Sequence, residues 1–146
     1  HVGDSRLYLL RDGALSLVTR DHTRREFAAR DGRPQPPQPN ALVQNFIFGS
    51  QGLGDDAMVR IDVGRDNGSF ALRAGDRMLL ASDGVFGPLT HDQLRGGLQS
   101  AVSATAAATT LAGGAMQAGG DDNVTALVLF VRHLTTDQSA DWRLYD

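Results

Sequence analysis

The sequence predicts an α+β fold, in which a mainly antiparallel sheet is combined with a small group of clustered helices. Segments of strand type come first and dominate, a short helix interrupts them, and two helical segments precede a last strand. This order differs from the regular alternation of strand and helix that builds a doubly wound parallel sheet. The length of 146 residues, of which 41% are hydrophobic, fits one globular domain.

The chain opens with a predicted hairpin over residues 5–19. On each side of Asp12-Gly13, leucines alternate with other residues, as expected for half-buried strands. Asp-Gly favours a tight type I′ turn, because that turn needs positive φ angles at both central positions.

A short helix is predicted next over residues 23–31, and it ends at Asp31-Gly32, where the glycine can serve as a C-terminal cap. Four prolines between residues 33 and 39 predict an extended surface loop, because proline lacks the backbone N–H that helices and central strands use. Residues 41–48 form an apolar run that ends in a glycine-rich stretch.

The middle of the chain contains three further strand patterns. Two strand-like segments cover residues 57–63 and 69–73, and a turn is predicted at 74–76. Residues 77–82 are a short apolar run typical of a buried strand.

The second half contains the helices. Thr90 and Gln93 form a capping-box pattern that opens the first of them. Small residues predict a second, close-packed helix over 102–118, although two adjacent glycines weaken this prediction. An apolar run at 124–131 predicts the last strand, and the polar residues 133–146 predict a tail.

Composition excludes several classes of function. No apolar stretch approaches the roughly 18–20 residues of a membrane span. A net charge of −3 gives no broad basic field for nucleic acid, so we expect neither a nucleic-acid nor a membrane partner. Without cysteine, the chain has no disulfide, zinc–thiolate site or cysteine nucleophile.

Three aspartates stand where predicted strands begin or end. Asp4 precedes the hairpin, Asp83 follows the apolar strand directly, and Asp122 precedes the last strand, each with glycine close by in the sequence. Such carboxylates suit an all-oxygen site for magnesium or manganese. Each aspartate taken singly also fits an ordinary turn, because Asp-Gly and Asp-Asn are common turn dipeptides.

Four sequence motifs stand out: His-Val-Gly-Asp-Ser-Arg at 1–6, Thr-Arg-Asp-His at 19–22, Gly-Asp-Arg-Met-Leu-Leu-Ala-Ser-Asp-Gly at 75–84 and Asp-Asn-Val-Thr at 122–125. Together they resemble the motifs of the metal-dependent protein phosphatases of type 2C, in that family's order. Any one of them is a weak signal, whereas four in order are specific. The chain therefore resembles the C-terminal half of a bacterial-type member.

The resemblance implies a four-layer α-β-β-α sandwich, with the N-terminal part of the domain absent from this chain. Residues 1–132 would be the C-terminal part of a single phosphatase catalytic domain, and 133–146 a polar tail. The implied function is Mn²⁺- or Mg²⁺-dependent hydrolysis of phosphoserine and phosphothreonine in proteins. The expected setting is the cytoplasm, opposite a serine/threonine kinase.

The resemblance also implies the roles of site residues. Asp83 and Asp122 match ligands of the family's binuclear metal centre, and Asp4 matches a ligand of a third metal in bacterial members. The residues expected to support these ligands are Gly84, Asp121 and Asn123. The last of them is expected to fix its loop by hydrogen bonds.

The implied chemistry depends on metals rather than on a protein nucleophile. Two cations about 3.5–4 Å apart can share a water, lower its pKa and neutralise the phosphoryl charge. We therefore expect no catalytic residue beyond the metal ligands. Ser5 and Ser82 are expected to have packing or hydrogen-bonding roles, and His22 a structural one.

The family pattern also has a first half, which has no counterpart in these 146 residues. In the family it supplies an early acidic ligand, an Asp-Gly-x-Gly-Gly motif whose aspartate bridges both metals, and an arginine that binds the substrate phosphate. We therefore expect the chain alone to be weakly active or inactive. Two alternatives stay open: a catalytically dead phosphatase-like module that binds a protein partner, and an unrelated α+β binding domain whose aspartates are only turns.

Overall fold

The computed structural model describes residues 1, 3–41, 44–45, 49–50 and 71–134, and in this part it has the predicted α+β fold. Its elements in chain order are β1 Arg6–Arg11, β2 Ala14–Leu17, α1 Arg24–Arg30, β3 Gln44–Asn45, β4 Gly49–Ser50, β5 Arg77–Ala81, α2 Asp83–Phe86, α3 His91–Ser100, α4 Ala104–Gln117 and β6 Ala126–Phe130. None of the helices in these ranges has the length and apolar character of a membrane-spanning segment.

Four strands form one antiparallel sheet in the order β2-β1-β5-β6, and β3 and β4 form a separate small pair. The hairpin turn between β1 and β2 is confirmed. Asp12 and Gly13 have φ angles of 51° and 78°, the positive values that a type I′ turn requires.

The core lies between this sheet and the helices of the second half. Leu79 of β5, Val85 of α2, Leu98 of α3 and Leu111 of α4 are fully buried there. The helices α3 and α4 pack closely, because a Cβ atom at Gly97 would come within 2.6 Å of the Leu111 side chain. Small side chains on α4 allow the same approach, so α4 continues through its two glycines.

The opposite face of the sheet, which we call the outer face, is also apolar. Side chains alternate along each strand, and the registers place Leu7 beside Leu80 and Leu80 beside Leu127. Leu80, Leu127 and Leu129 remain 45%, 53% and 41% exposed. The strand predicted at 77–82 is therefore confirmed, but it is buried on one face rather than on both.

Other predictions have mixed outcomes. The capping box at Thr90 and Gln93 is confirmed, as are the helix within 23–31, the helix within 102–118 and the last strand. Residues 33–39 contain no helix or strand, as predicted. The predicted segment 57–63, most of the run 41–48 and residues 135–146 of the predicted tail lie outside the described residues.

The strand predicted at 69–73 is wrong for its described part, residues 71–73. Backbone groups there bond to side chains instead of to a neighbouring strand. The Arg73 N–H donates to the Asp76 carboxylate at 2.8 Å, and the Ala71 carbonyl accepts from the Arg11 guanidinium at 2.8 Å. The apolar pattern alone did not reveal this competition.

Asp76 anchors the turn before β5. Its carboxylate accepts two hydrogen bonds from Arg11 of β1, at 2.8 and 2.6 Å, and only 1% of its side chain is exposed. The hydrogen bonds from Arg11 hold the pKa of Asp76 below its ordinary value. This pair joins two strands that are far apart in the sequence.

We predict that Asp76→Asn lowers the free energy of unfolding by about 1–2 kcal/mol at neutral pH, because it removes the charge of a buried carboxylate whose partner Arg11 is partly exposed. Since the pKa of Asp76 is depressed in the folded chain, its stabilising contribution is present at neutral pH. That contribution is lost as the pH falls below about 4. Urea denaturation of both proteins at several pH values measures the difference, which should shrink in acid.

The matched control is Asp31→Asn, which removes the exposed ion pair between Asp31 and Arg33. Its effect should stay below about 0.5 kcal/mol. A difference between wild type and Asp76→Asn that stays constant down to the acid limit would contradict this account.

Candidate metal centre

The strand registers bring the three candidate aspartates to one edge of the sheet. Asp4 precedes β1, Asp83 begins α2 and is separated from β5 by Ser82 alone, and Asp122 lies in the loop before β6. Because neighbouring strands are antiparallel, Arg6 pairs with Ala81, and Ala81 pairs with Ala126. The start of β1, the end of β5 and the start of β6 therefore meet at the same edge.

Asp83 is shared by two hollows at this edge. It lines a cleft of about 760 Å³ together with Asp4, and a smaller hollow of about 430 Å³ together with Asp121 and Asp122. Burial, followed by the negative charge of Asp83, raises the pKa of Asp4. The carboxylates of Asp4 and Asp83 are thus close enough to repel each other, a cost that a bound cation would offset.

Ser82 ties the end of β5 to the loop that carries Asp122. Its hydroxyl donates to the Asn123 carbonyl at 2.9 Å and accepts from the Thr125 N–H at 3.0 Å. The Ser82 N–H also donates to the Thr125 carbonyl, at 3.1 Å. The expected hydrogen-bonding role of Ser82 is confirmed, and these contacts fix the loop beside Asp83.

Gly84 sets how closely that loop approaches α2. A Cβ atom at this position would lie 2.5 Å from the Asn123 carbonyl oxygen and 2.9 Å from its carbon, distances that no side chain tolerates. Asn123 makes its hydrogen bonds here through backbone atoms: the carbonyl accepts from Ser82, and the N–H donates to the Asp122 carboxylate at 2.6 Å. Asp121 is exposed and lines the smaller hollow.

The carboxylates of Asp83 and Asp122 have the same local arrangement. Each accepts one hydrogen bond from the next residue in the chain, Gly84 for Asp83 at 3.0 Å and Asn123 for Asp122 at 2.6 Å. Both side chains are exposed, and the described part of the chain offers their second oxygens no donor. Carboxylate oxygens of this kind are the usual ligands of hard divalent cations.

The fit to a metal is nevertheless incomplete within the described residues. These residues contain no group of three or more histidines or acidic side chains that could together hold an ion. The three candidate ligands do not line one common hollow: Asp4 shares the larger cleft with Asp83, and Asp122 shares the smaller hollow with Asp83. The described residues thus present suitable donors that do not form a closed ligand set among themselves.

Sequence reasoning did not single out the wall of the larger cleft. Arg6 donates two hydrogen bonds to Asp21, at 3.0 and 2.8 Å, and its guanidinium lies 3.9 Å from the centre of the Phe86 ring. Arg6 lies in the motif at 1–6 and Asp21 in the motif at 19–22. Their places in these motifs were the sequence signal that could have identified this pair. The pair stiffens the cleft wall beside Asp4.

His22 holds the backbone next to Asp4. Its N–H donates to the Gly3 carbonyl at 2.8 Å, and its ring Nδ1 accepts from the Gly3 N–H at 3.2 Å. His22 is 3% exposed, and Gly3 has a φ angle of 102° that favours glycine. These contacts support the structural role expected for His22.

Comparison with known proteins identifies relatives of one kind, although no family model matches the chain. The serine/threonine protein phosphatase PstP of Mycobacterium tuberculosis is 34% identical over 128 residues, which are 88% of this chain and 24% of that protein. The protein phosphatase PhpP of Streptococcus pneumoniae is 30% identical over 129 residues, 88% of this chain and 50% of that protein.

Solved structures agree with these relatives. The PstP structure from Mycobacterium tuberculosis superposes with a TM-score of 0.64 at 31% identity, over 91% of this chain and 54% of that one. A second structure, the PstP catalytic domain in complex with two manganese ions, superposes with a TM-score of 0.59 at 32% identity, over 88% of this chain and 50% of that one. PppA of Pseudomonas aeruginosa superposes with a TM-score of 0.65 at 28% identity, over 87% of this chain and 49% of that one.

Fold, motifs and relatives therefore define one class: the homologues of this chain are type 2C serine/threonine phosphatases, and it has the fold of part of their domain. The chain spans a quarter to a half of the length of the relatives it matches. The expected resemblance and fold are confirmed at this level.

We predict that Gly84→Ala destabilises the chain by about 1–3 kcal/mol, because the added methyl group would press on the backbone of Asn123. Thermal unfolding followed by circular dichroism measures the loss. Cross-peaks of residues 122–125 should also shift in an NMR spectrum of the variant.

The matched control is Gly96→Ala on α3, where an added Cβ atom meets nothing within 4 Å. This variant should gain about 0.5–1 kcal/mol, because alanine favours the helix over glycine. If both variants changed the stability by the same amount, the close approach of Gly84 to Asn123 would make no contribution to the stability.

Proposed function

We propose that this chain is part of the catalytic domain of a Mn²⁺- or Mg²⁺-dependent phosphatase that hydrolyses phosphoserine and phosphothreonine in proteins. One observation carries the proposal: Asp83 is shared by two hollows, with Asp4 in one and Asp122 in the other, at a single sheet edge. The homologues named above are phosphatases, and the structure of one contains two manganese ions.

The residues of this chain would hold and orient the cations. Asp83 and Asp122 each have one oxygen fixed by a backbone N–H, which leaves the other pointing to a defined position. Asp4 would add a third carboxylate, on the side of the larger cleft. When bound, the cations supply an activated water and neutralise the phosphoryl charge.

The other residues of the site have supporting roles in this proposal. Gly84 and Ser82 hold the Asp122 loop against α2, and His22 holds the backbone beside Asp4. Arg6 is occupied by Asp21, so it does not take the role of the phosphate-binding arginine. That arginine and the bridging aspartate have no counterpart in these 146 residues, and we propose weak or no activity for the chain alone.

A catalytically dead module that binds a protein partner is the alternative function. The observation that favours it is the outer face, where Leu80, Leu127 and Leu129 are exposed. The phosphoprotein substrate, the opposing kinase and the cytoplasmic location remain predictions from the resemblance.

Manganese binding tests the proposed ligands directly. We predict that Asp83→Asn and Asp122→Asn each weaken Mn²⁺ binding to the chain at least about tenfold, because each removes a charged ligand. Isothermal titration measures the affinity. The control is Asp92→Asn, an exposed position on α3 that should leave the affinity unchanged. Unchanged binding in both ligand variants would remove the metal from the proposal.

Hydrolysis of a small aryl phosphate separates the two functions. We expect Mn²⁺-dependent activity from the product of the complete gene and little from the 146 residues alone. Substantial activity from the 146 residues would contradict the need for the missing ligands. Inactivity of the complete product would favour the dead module.

A further inference from the structure

Two arginines line the larger cleft together with Asp4 and Asp83: Arg20, which follows β2, and Arg25 on α1. Both side chains are exposed, so their guanidinium groups are available to a ligand in the cleft. The cleft thus combines the carboxylates of the candidate metal centre with two cationic side chains.

These arginines differ from Arg6, the third arginine of the cleft. Arg6 is neutralised by Asp21 and lies over Phe86, so it is part of the wall. Among the described residues, no carboxylate forms an ion pair with Arg20 or Arg25, and this includes Glu26, which also lines the cleft.

The backbone around both arginines is held in place. The Arg25 N–H donates to the Pro39 carbonyl at 2.8 Å, which fixes α1 against the proline-rich loop. On the other side, the Thr19 hydroxyl accepts from the Leu7 N–H at 3.0 Å and fixes the segment before Arg20. The backbone that carries the two cationic side chains is therefore held in place, so binding has to order only the side chains.

The size of the cleft limits what it can accept. A sphere of about 760 Å³ is roughly 11 Å across, and an extended peptide advances about 3.3 Å per residue. About three residues of an extended substrate would fit. An anionic group recognised by the arginines would thus lie within a few residues of the phosphorylated side chain.

We propose that Arg20 and Arg25 form an anion subsite that binds an acidic side chain of the substrate, a carboxylate or a second phosphate, beside the phosphorylated residue. The guanidinium group suits both anions, because it donates two parallel hydrogen bonds to either. This inference rests on the proposed function, since it assigns the cleft to the phosphoprotein substrate. It makes Arg20 and Arg25 residues that determine specificity.

Peptide binding to the 146-residue chain tests the subsite. Three fluorescent peptides of one sequence carry asparagine, aspartate or phosphoserine at the flanking positions, with an unphosphorylated threonine at the centre. Anisotropy at low ionic strength, with EDTA present, measures their affinities. The wild-type chain should bind the aspartate or phosphoserine peptide about three- to tenfold more tightly than the asparagine peptide. Whichever anionic peptide binds more tightly identifies the preferred anion.

The double variant Arg20→Gln, Arg25→Gln should lose this preference. Arg24→Gln is the matched control, because Arg24 is exposed on α1 and does not line the cleft. It should keep the preference while removing one positive charge. Failure of every peptide to bind, a preference that survives in the double variant, or an equal loss in Arg24→Gln would each overturn the subsite.

Failure of the subsite and failure of the proposed function can be told apart, because EDTA removes the metals and the binding measurement involves no hydrolysis. A preference for acidic peptides without any Mn²⁺-dependent hydrolysis by the complete gene product would leave the subsite standing and refute the proposed function. Mn²⁺-dependent hydrolysis without a preference for acidic peptides would support the proposed function and refute the subsite.

Discussion

The close contact between Gly84 and the carbonyl of Asn123 is the constraint on which the candidate centre depends. It allows α2 to begin directly against the loop before β6, so that Asp83 and Asp122 line one hollow. Ser82 reinforces the contact with hydrogen bonds from both its side chain and its backbone. The antiparallel register of β1, β5 and β6 adds Asp4 at the same sheet edge.

Features determined by neighbouring residues could be predicted from the sequence. The Asp12-Gly13 turn and the capping box at Thr90 each depend on a few adjacent residues, and both are present in the structure. The three aspartates could also be selected, because their motifs are local. Their grouping at one edge followed from the resemblance, since no local pattern reports which strand ends meet.

Features that depend on distant partners could not be predicted in this way. Asp76 pairs with Arg11 across 65 positions, and this pair takes up backbone groups that an apolar pattern had suggested for a strand. The sequence of β5 is apolar from Met78 to Ala81, yet Leu80 is exposed while Leu79 is fully buried, because the helices of the described residues that pack on this sheet lie on one of its faces. The anion subsite likewise joins Arg20 and Arg25 from separate elements.

The outer face connects the fold to the length of the relatives. Leu7, Leu80 and Leu127 lie side by side across three strands, and burying such side chains contributes roughly 1.5–3 kcal/mol each. In the part of the chain that the structure describes, the outer face is uncovered, so the sheet forgoes a share of this stabilisation. This chain covers 54% and 50% of the two PstP structures, so each of those chains is about twice as long as the part that it matches. The resemblance implies a second sheet packed on the first. Apolar residues on the outer face are the composition that such packing needs, because two sheets stack through interdigitated apolar side chains. The resemblance also expects the bridging aspartate in the first half of the family pattern, which has no counterpart in these 146 residues.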